Sequence, residues 1–405
     1  MPNCIIAQSG GPTAVINSSV VGLLKENQKS NKFEKVYGGL NGIEGILNEN
    51  IIDLTAISME DIARFQYTPS SGLGSCRYKM KDISTSTEEY DKLLDILKKL
   101  DITTFFYIGG NDSMDTTAKL GKYAKENSLD ITFIGIPKTI DNDLMHTDHT
   151  PGFGSAAKFI ATTTLEAYFD SSVYINNGIF ILETMGRDAG WLAASACMAQ
   201  YNGKPVADFI YLPEKPFDII EFIEDVRAKF QEQNQVFIVV SEGLRNSVGR
   251  FVTEFDCVSQ DTFGHAQLGG VSNFLRQTIL DAGISTRVKA LELGILQRCA
   301  MHSASQTDID EAFNAGAEAL RSSEPENNGC MVSIKRESND SYKVSYELVP
   351  ADTVANNVKY FPVDWINEKG NHINEEAYEY FKPLLEGVPT LYTFNNVPQY
   401  KVFTK

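Results

Sequence analysis

Several absences narrow what this chain can do. No run of about 18 apolar residues occurs, so no membrane-spanning helix is expected. Basic residues are outnumbered: 36 Lys and Arg stand against 53 Asp and Glu, for a formal net charge of −17. A nucleic-acid partner is therefore not expected, because phosphate backbones are held by basic surfaces. The deficit does not disfavour a small anionic ligand, since a few arginines and lysines reverse the potential inside a cleft. The six cysteines, Cys4, Cys76, Cys197, Cys257, Cys299 and Cys330, show no C-x-x-C spacing. Reduced thiols in a cytoplasm are the simplest reading. The five histidines have no metal-ligand spacing. The N-terminal MPNCIIAQSGG has neither a basic n-region nor a long apolar stretch, so no signal peptide is expected. There is no low-complexity tract and no internal repeat.

What is present is alternation. At 405 residues, roughly 150 per domain gives two or three domains. Short apolar runs (NCIIAQ, ITTFFYIGG, ITFIGIP, GIFILETMG, DFIYLP, QVFIVVSEG, ALELGIL) read as strands. Amphipathic stretches between them read as helices, among them GGPTAVINSSVVGLLKEN, DSMDTTAKLGKYAKEN, GSAAKFIATTTLEAYF, AGWLAASACMAQ, GVSNFLRQTIL and TDIDEAFNAGAEAL. Strands alternating with helices predict α/β architecture: two similar doubly wound, Rossmann-like units with parallel sheets. Such sheets bind ligands at the carboxyl ends of their strands. The segment from about Asn339 holds a strand pair and a polar helix near NEEAYEYFKPLLEG, with no evident role.

Every chemically suggestive motif falls at a strand end. Gly10 and Gly11 precede a helix start, where backbone N–H groups meet a phosphate; an ordinary strand-to-helix turn fits equally well. Neither G-x-G-x-x-G nor a Walker A sequence occurs. In GGNDS, Asn111 or Asp112 suits Mg²⁺, directly or through water, although helix capping by Asp112 is the better reading of that motif alone. Arg77 and Lys79 in SCRYK, and Arg187 in ETMGRDAGW, suit phosphoryl oxygens; a solvated turn and an ion pair are the plain alternatives. Glu242 in VVSEG suits a sugar hydroxyl or an exposed strand end. Lys289 and Arg298 flank another strand and reach one anion only if the strand ends converge. In PKTIDND, Asp141, Lys138 and Thr139 suit a general base, a cation for developing charge and an orienting group. An Asx-type turn is the plain alternative.

The series SGG, GSCRY, GGNDS, PKTIDND, MGR, SEG and LGILQR, over residues 9 to 298, resembles the phosphofructokinase family in order and strand-end context. The resemblance implies two similar α/β domains with the active site in the cleft between them. It places residues 1–155 plus about 297–335 in a donor domain, 156–296 in a sugar-phosphate domain and 336–405 in a C-terminal extension. It implies transfer of a phosphoryl group to the 1-hydroxyl of fructose 6-phosphate, with Mg²⁺. Asp141 is then the base; Arg187, Lys138 and Asp112 complete the catalytic set. Gly11, Arg77 and Ser113 meet the donor. Thr139, Ile140, Met185, Gly186, Glu242, Ile295 and Arg298 meet the sugar phosphate, with Lys289 from a neighbouring subunit. Asn111 and Asp143 are the metal candidates. A cytoplasmic homodimer or homotetramer follows from the same resemblance.

Donor choice turns on two positions. ATP-using members carry GGDGS and PGTIDND; here Asp112 and Lys138 stand where those have glycine, as in members that use pyrophosphate. An aspartate there intrudes on and repels a nucleotide α-phosphate, while the lysine adds a cation for a smaller donor. Three departures accompany this: Asn111 for a common aspartate, Ile295 for a histidine or tyrosine, and Gly178 for an arginine of the ATP-using branch. The rival readings are an ATP-dependent kinase of this fold, a sedoheptulose-7-phosphate kinase, a non-catalytic sugar-phosphate sensor and an NAD kinase-like protein. The last rests on GG-x-x-S/T alone.

Overall fold

The structure, a computed structural model, describes residues 1–253, 270–339 and 341–403; Cys257 lies outside them. The chain opens with β1 (Asn3–Gln8), α1 (Ile16–Ser30), β2 (Val36–Gly39), α2 (Gly42–Leu47), β3 (Ile51–Asp53), α3 (Met59–Gln66) and α4 (Glu88–Lys99). It continues through β4 (Ile102–Gly109), α5 (Asn111–Glu126), β5 (Thr132–Pro137) and α6 (Phe153–Ser171). The next elements are β6 (Gly178–Thr184), α7 (Trp191–Ala194), a hairpin of β7 (Gln200–Tyr201) and β8 (Lys204–Pro205), and β9 (Phe209–Tyr211). After these come α8 (Ile219–Gln233), β10 (Gln235–Ser241), α9 (Val271–Asp281), β11 (Val288–Glu292) and α10 (Gln306–Arg321). Last are β12 (Cys330–Ser338), β13 (Lys343–Pro350), α11 (Ala351–Val354), α12 (Glu376–Phe381), and a second hairpin of β14 (Thr393–Phe394) and β15 (Val397–Pro398).

Two unequal sheets form the frame. The larger runs β13-β12-β5-β4-β1-β2-β3, and the smaller runs β11-β6-β10-β9. The small sheet is wholly parallel. In the large one, only the edge strands β13 and β3 are antiparallel. Both sheets are covered on both faces, as parallel sheets require. Cys4 and Ile6 of β1 enter one apolar cluster, while Ile5 and Ala7 enter the one opposite. In β6, Phe180 and Leu182 face one cluster, and Ile179 and Ile181 the other. A continuous apolar strand is the sequence form of that double burial. The short strands β2 and β3 and the helices α2 to α4 give weaker periodic signals and were not anticipated.

Helix ends follow local chemistry. Asp218 caps α8 by accepting from the N–H groups of Ile220 and Glu221, and Ser305 caps α10. Left-handed Asn31 and Asn234 terminate α1 and α8. AGWLAASACMAQ is shorter as a helix than its sequence suggests: α7 gives way to a 3₁₀ turn at Ser195–Met198. The N-terminus of α6 is capped from far away, because Asp308 of α10 accepts from the N–H groups of Gly152 at 2.8 Å and Ser155 at 2.9 Å.

The C-terminal segment is not an appendage. The expected boundary at 336 falls inside β12, which pairs with β5 in the large sheet. Further on, Phe361, Ile366, Ile373, Phe381 and Leu384 join the same buried cluster as Phe180, Trp191 and Phe237 of the small-sheet half. The segment therefore spans both halves. Among the described residues no helix is long and apolar enough to cross a membrane.

Candidate active site

A cleft of about 470 Å³ lies where the strand-end loops of both sheets meet. Its walls carry five basic side chains (Arg77, Lys79, Lys138, Arg187, Arg298) and five acidic ones (Asp112, Asp141, Asp143, Asp188, Glu242). In a chain with net charge −17, that balance is a local enrichment of cations, as an anionic ligand needs. Size alone does not select this cleft. A hollow of about 630 Å³ sits at the amino end of β4, lined by residues such as Asp91, Lys98 and Tyr123. None of the strand-end motifs reaches it.

The floor is built by close backbone approach. Gly10 has φ +73°, and a Cβ there would come 3.3 Å from Lys138 Nζ. At Gly11 a Cβ would come 3.3 Å from an Arg298 guanidinium nitrogen. Both cations therefore press against bare backbone, and Lys138 Nζ donates to the Gly11 carbonyl at 2.6 Å. Lys138 is 2% exposed. Burial pulls its ammonium down to about 8, with Arg298 and Arg77 adding to the fall, against the pull of Asp141 and Asp143.

Asp141, the expected base, lines the cleft. Its N–H donates to Thr139 Oγ1 at 3.1 Å, a local turn bond that leaves the carboxyl on the cleft wall. Burial lifts its carboxyl above the ordinary carboxylate value, against the opposing charges of Arg187 and Lys138. Burial, then the charge of Asp141, pushes Asp143 to about 7. Across the cleft, burial and then Asp141 push Glu242 to about 7. Glu242 also accepts from the Gly186 N–H at 3.3 Å. Clustered acids with raised values in a cleft mark sites of proton transfer or cation binding.

The motif GGNDS divides its labour differently from expectation. Gly110, not Asp112, occupies the N-cap of α5, and no side chain caps this helix. Asp112 sits in the first turn and lines the cleft. An uncapped helix start facing a cleft offers N–H groups to phosphate oxygens. Ser113 is held by Ser9, with the hydroxyls 2.5 Å apart. Asn111 is committed elsewhere: its side-chain amide donates to the carbonyl of Asn357 and its oxygen accepts from the N–H of Asn356. The oxygen of Asn111, one of the two metal candidates, thus already accepts one hydrogen bond from the C-terminal segment.

Ile140, Met185, Arg187, Glu242 and Arg298 also line the walls. Gln297 was not foreseen, yet it fixes Met185 by accepting its N–H at 3.2 Å. Within one chain Lys289, expected only from a neighbouring subunit, and Ile295 stay outside the cleft. Lys289 is exposed and ion-pairs with Asp170 at 3.3 Å, and Ile295 is 62% exposed. The strand ends of Lys289 and Arg298 do not converge on one site within the chain.

Mg²⁺ is held mainly by substrate phosphates and one or two carboxylates. Asp143 fits that chemistry: its carboxyl lines the cleft and is pushed up by burial and then by the charge of Asp141, both of which a cation would offset. No group of three or more His, Cys, Asp or Glu side chains suited to a metal occurs among the described residues.

A sequence model of the family described as phosphofructokinase matches residues 3–322. A Halomonas elongata protein named pyrophosphate–fructose 6-phosphate 1-phosphotransferase is 42% identical over 390 residues, which is 95% of this chain and 92% of the relative. A protein of Alkalicoccus urumqiensis named sulfofructose kinase is 32% identical over 90% of this chain and 92% of its own. The crystal structure of a pyrophosphate-dependent phosphofructokinase from Nitrosospira multiformis superposes with a TM-score of 0.87 at 36% identity, covering 98% of this chain and 95% of that one.

Proposed function

This chain belongs to the phosphofructokinase family, and from that premise we propose how its own residues carry out the chemistry. It is a phosphotransferase that moves a phosphoryl group from pyrophosphate to the 1-hydroxyl of fructose 6-phosphate, giving fructose 1,6-bisphosphate and phosphate. The observation that carries the donor assignment is that Asp112 and Lys138 line one cleft with Gly11 and Arg77.

Phosphoryl transfer needs positioning and charge stabilisation more than covalent chemistry. Asp141 takes the proton of the attacking hydroxyl; its raised carboxyl moves it toward the range where a general base works near neutral pH. Lys138 and Arg187, both on the walls of the cleft, stabilise charge on the moving phosphoryl group. Asp112 stands where a nucleotide α-phosphate would lie and excludes it by charge. Arg77, Gly11, Ser113 and the open start of α5 hold the remaining donor oxygens. Thr139 orients the base, and Met185, Gly186, Glu242 and Ile140 bound the sugar. Arg298 binds the 6-phosphate, and Lys289 reaches that phosphate only from a second copy, which makes a homodimer or homotetramer the working assembly. Asp143 would hold Mg²⁺, which when bound neutralises charge on the donor phosphates. A cytoplasmic location goes with these substrates.

The test is an initial-rate matrix of pyrophosphate and ATP against fructose 6-phosphate, sedoheptulose 7-phosphate and sulfofructose, with and without Mg²⁺. Pyrophosphate with fructose 6-phosphate is expected to dominate. Turnover with ATP alone overturns the donor assignment, and preference for another sugar overturns the acceptor. In the same matrix, Asp112→Gly combined with Lys138→Gly weakens pyrophosphate use; unchanged pyrophosphate turnover removes the roles given to that pair.

A further inference from the structure

The strap of chain from Asn356 to Phe361 has no place in the chemistry above, yet it bonds to loops from both sheets. Asn356 and Asn357 bond both ends of the Asn111 amide in the GGNDS loop. The N–H of Lys359 donates to the carbonyl of Asp143 at 2.8 Å, and its carbonyl accepts from Trp191 Nε1 at 3.0 Å. Phe361 donates its N–H to Glu214 Oε1 at 2.8 Å, and the same oxygen accepts from Gly190 N–H at 2.8 Å. One extended segment thus joins loops from both sheets.

Lys359 is the centre of that strap. Its ammonium is turned away from the cleft and donates to Asn142 Oδ1 at 3.2 Å, Thr147 O at 3.1 Å and Asp148 O at 2.8 Å. Those acceptors lie on the back of the loop whose front carries Asp141 and Asp143. Tyr380 braces the same points: its hydroxyl accepts from Asn142 Nδ2 at 2.9 Å and donates to Asp148 O at 2.7 Å. Asn142, held between them, is in the left-handed region at φ +55°. A residue in that region directly between two carboxylates fixes the direction in which both project. Loops are precise only when such packing and bonding over-determine them.

We propose that Lys359 is a positioning residue for phosphoryl transfer: by tying Asn142, Thr147 and Asp148 together behind the loop, it sets the line of approach between Asp141 and the attacking hydroxyl. Displacement of a reacting group by about 1 Å costs as much as 100-fold in rate. The proposal rests on Asp141 being the base, and Asp141→Ser tests that premise separately.

The experiment compares Lys359→Met and Tyr380→Phe with the unmodified full-length chain. Competent sites are counted by calorimetric titration with fructose 6-phosphate, so that unfolded protein does not lower the apparent rate. For Lys359→Met, kcat per competent site is expected to fall about 10- to 100-fold, with KM for both substrates within about threefold. Tyr380→Phe removes one brace and leaves the ammonium, and kcat per site should fall about 3- to 10-fold. A merely structural lysine would lower the thermal midpoint and the number of sites while leaving kcat per site unchanged, and that result overturns the proposal. Should Lys359→Met yield no competent sites, Tyr380→Phe decides: full kcat per site refutes the device. If Asp141→Ser retains full activity, the base assignment fails instead, and the two failures are told apart.

Discussion

The loop from Lys138 to His149 has two faces, and burial acts on them with opposite results. On the front, buried charges are held against their own interest. Lys138 falls to about 8, and Asp143 rises to about 7. On the back, burial alone would depress His149, but Glu311 and Asp148 on either side outweigh it and hold the imidazole at about 9. His149 Nδ1 lies 2.7 Å from Asp148 and Nε2 2.6 Å from Glu311. Burial would likewise raise Asp148, and His149 with Arg336 outweighs it, leaving the carboxyl below its ordinary value. Tyr342 donates to the other Glu311 oxygen at 2.6 Å. The back is a completed network; the front is one that substrate and cation complete. Lys359 is the exception on the back. Burial pulls its ammonium to about 7 despite Asp148 and Asp143, so even on the back one cation is held against burial.

The front therefore carries activity at the expense of stability, and the back carries stability. The largest expected effect breaks the front. Asp141→Ser lowers kcat by about 10²- to 10⁴-fold, the range for loss of a general base. Fructose 6-phosphate binding measured by calorimetry persists, and the urea midpoint holds or rises because a buried charge has gone. A kcat within tenfold of the parent removes Asp141 as base; a fallen midpoint removes the contrast between the faces.

Much of the front was legible in the sequence, and almost none of the back. Parallel strands buried on both faces are written as apolar runs, and their ends carry glycine and polar residues in short, local order. SGG, GGNDS, PKTIDND and MGR could be placed on one rim for that reason. The back is assembled from residues with no local pattern. Glu311 lies 162 residues from His149, and Asn356 lies 245 from Asn111. Lys359 sits in ANNVKYFP, whose apolar flanks signal only an extended, half-buried stretch. Asn111 follows the same rule: its type and position suggest a metal, and only the tertiary fold shows its amide bonded to a distant backbone. Lys289, on β11 beside Asp170, and Ile295, just beyond that strand, are both exposed; a role for Lys289 at a phosphate lies between subunits, where no pattern within one chain shows it.

The next effect breaks the back. His149→Gln removes the cation between Asp148 and Glu311 and leaves two carboxylates facing a neutral amide. Breaking a buried charge pair costs about 3–5 kcal/mol, read as a fall in the urea midpoint at pH 6.5. Here kcat per competent site changes less than in Asp141→Ser, because the His149 ring bonds to Asp148 and Glu311 and lines no wall of the cleft. A midpoint within error of the parent would show that the network is not the stabilising element.

The smallest effect sharpens the same contrast through pH. His149 is raised from its ordinary 6.5 to about 9. A histidine with a raised folded-state value contributes stability that is complete below about pH 6.5 and lost as pH climbs through about 9. Within that window its share of the slope is at most about 1.4 kcal/mol per pH unit. The front works in the opposite sense over part of the range: Lys138, lowered to about 8 from 10.5, costs less as it deprotonates above pH 8. The raw stability curve mixes the two, so the informative quantity is the difference between parent and His149→Gln. That difference should be greatest at pH 6.5, shrink steadily toward pH 9 and vanish beyond it. A difference independent of pH would mean that His149 is neutral in the folded chain, and the back of the loop would then be held by hydrogen bonds without its charge.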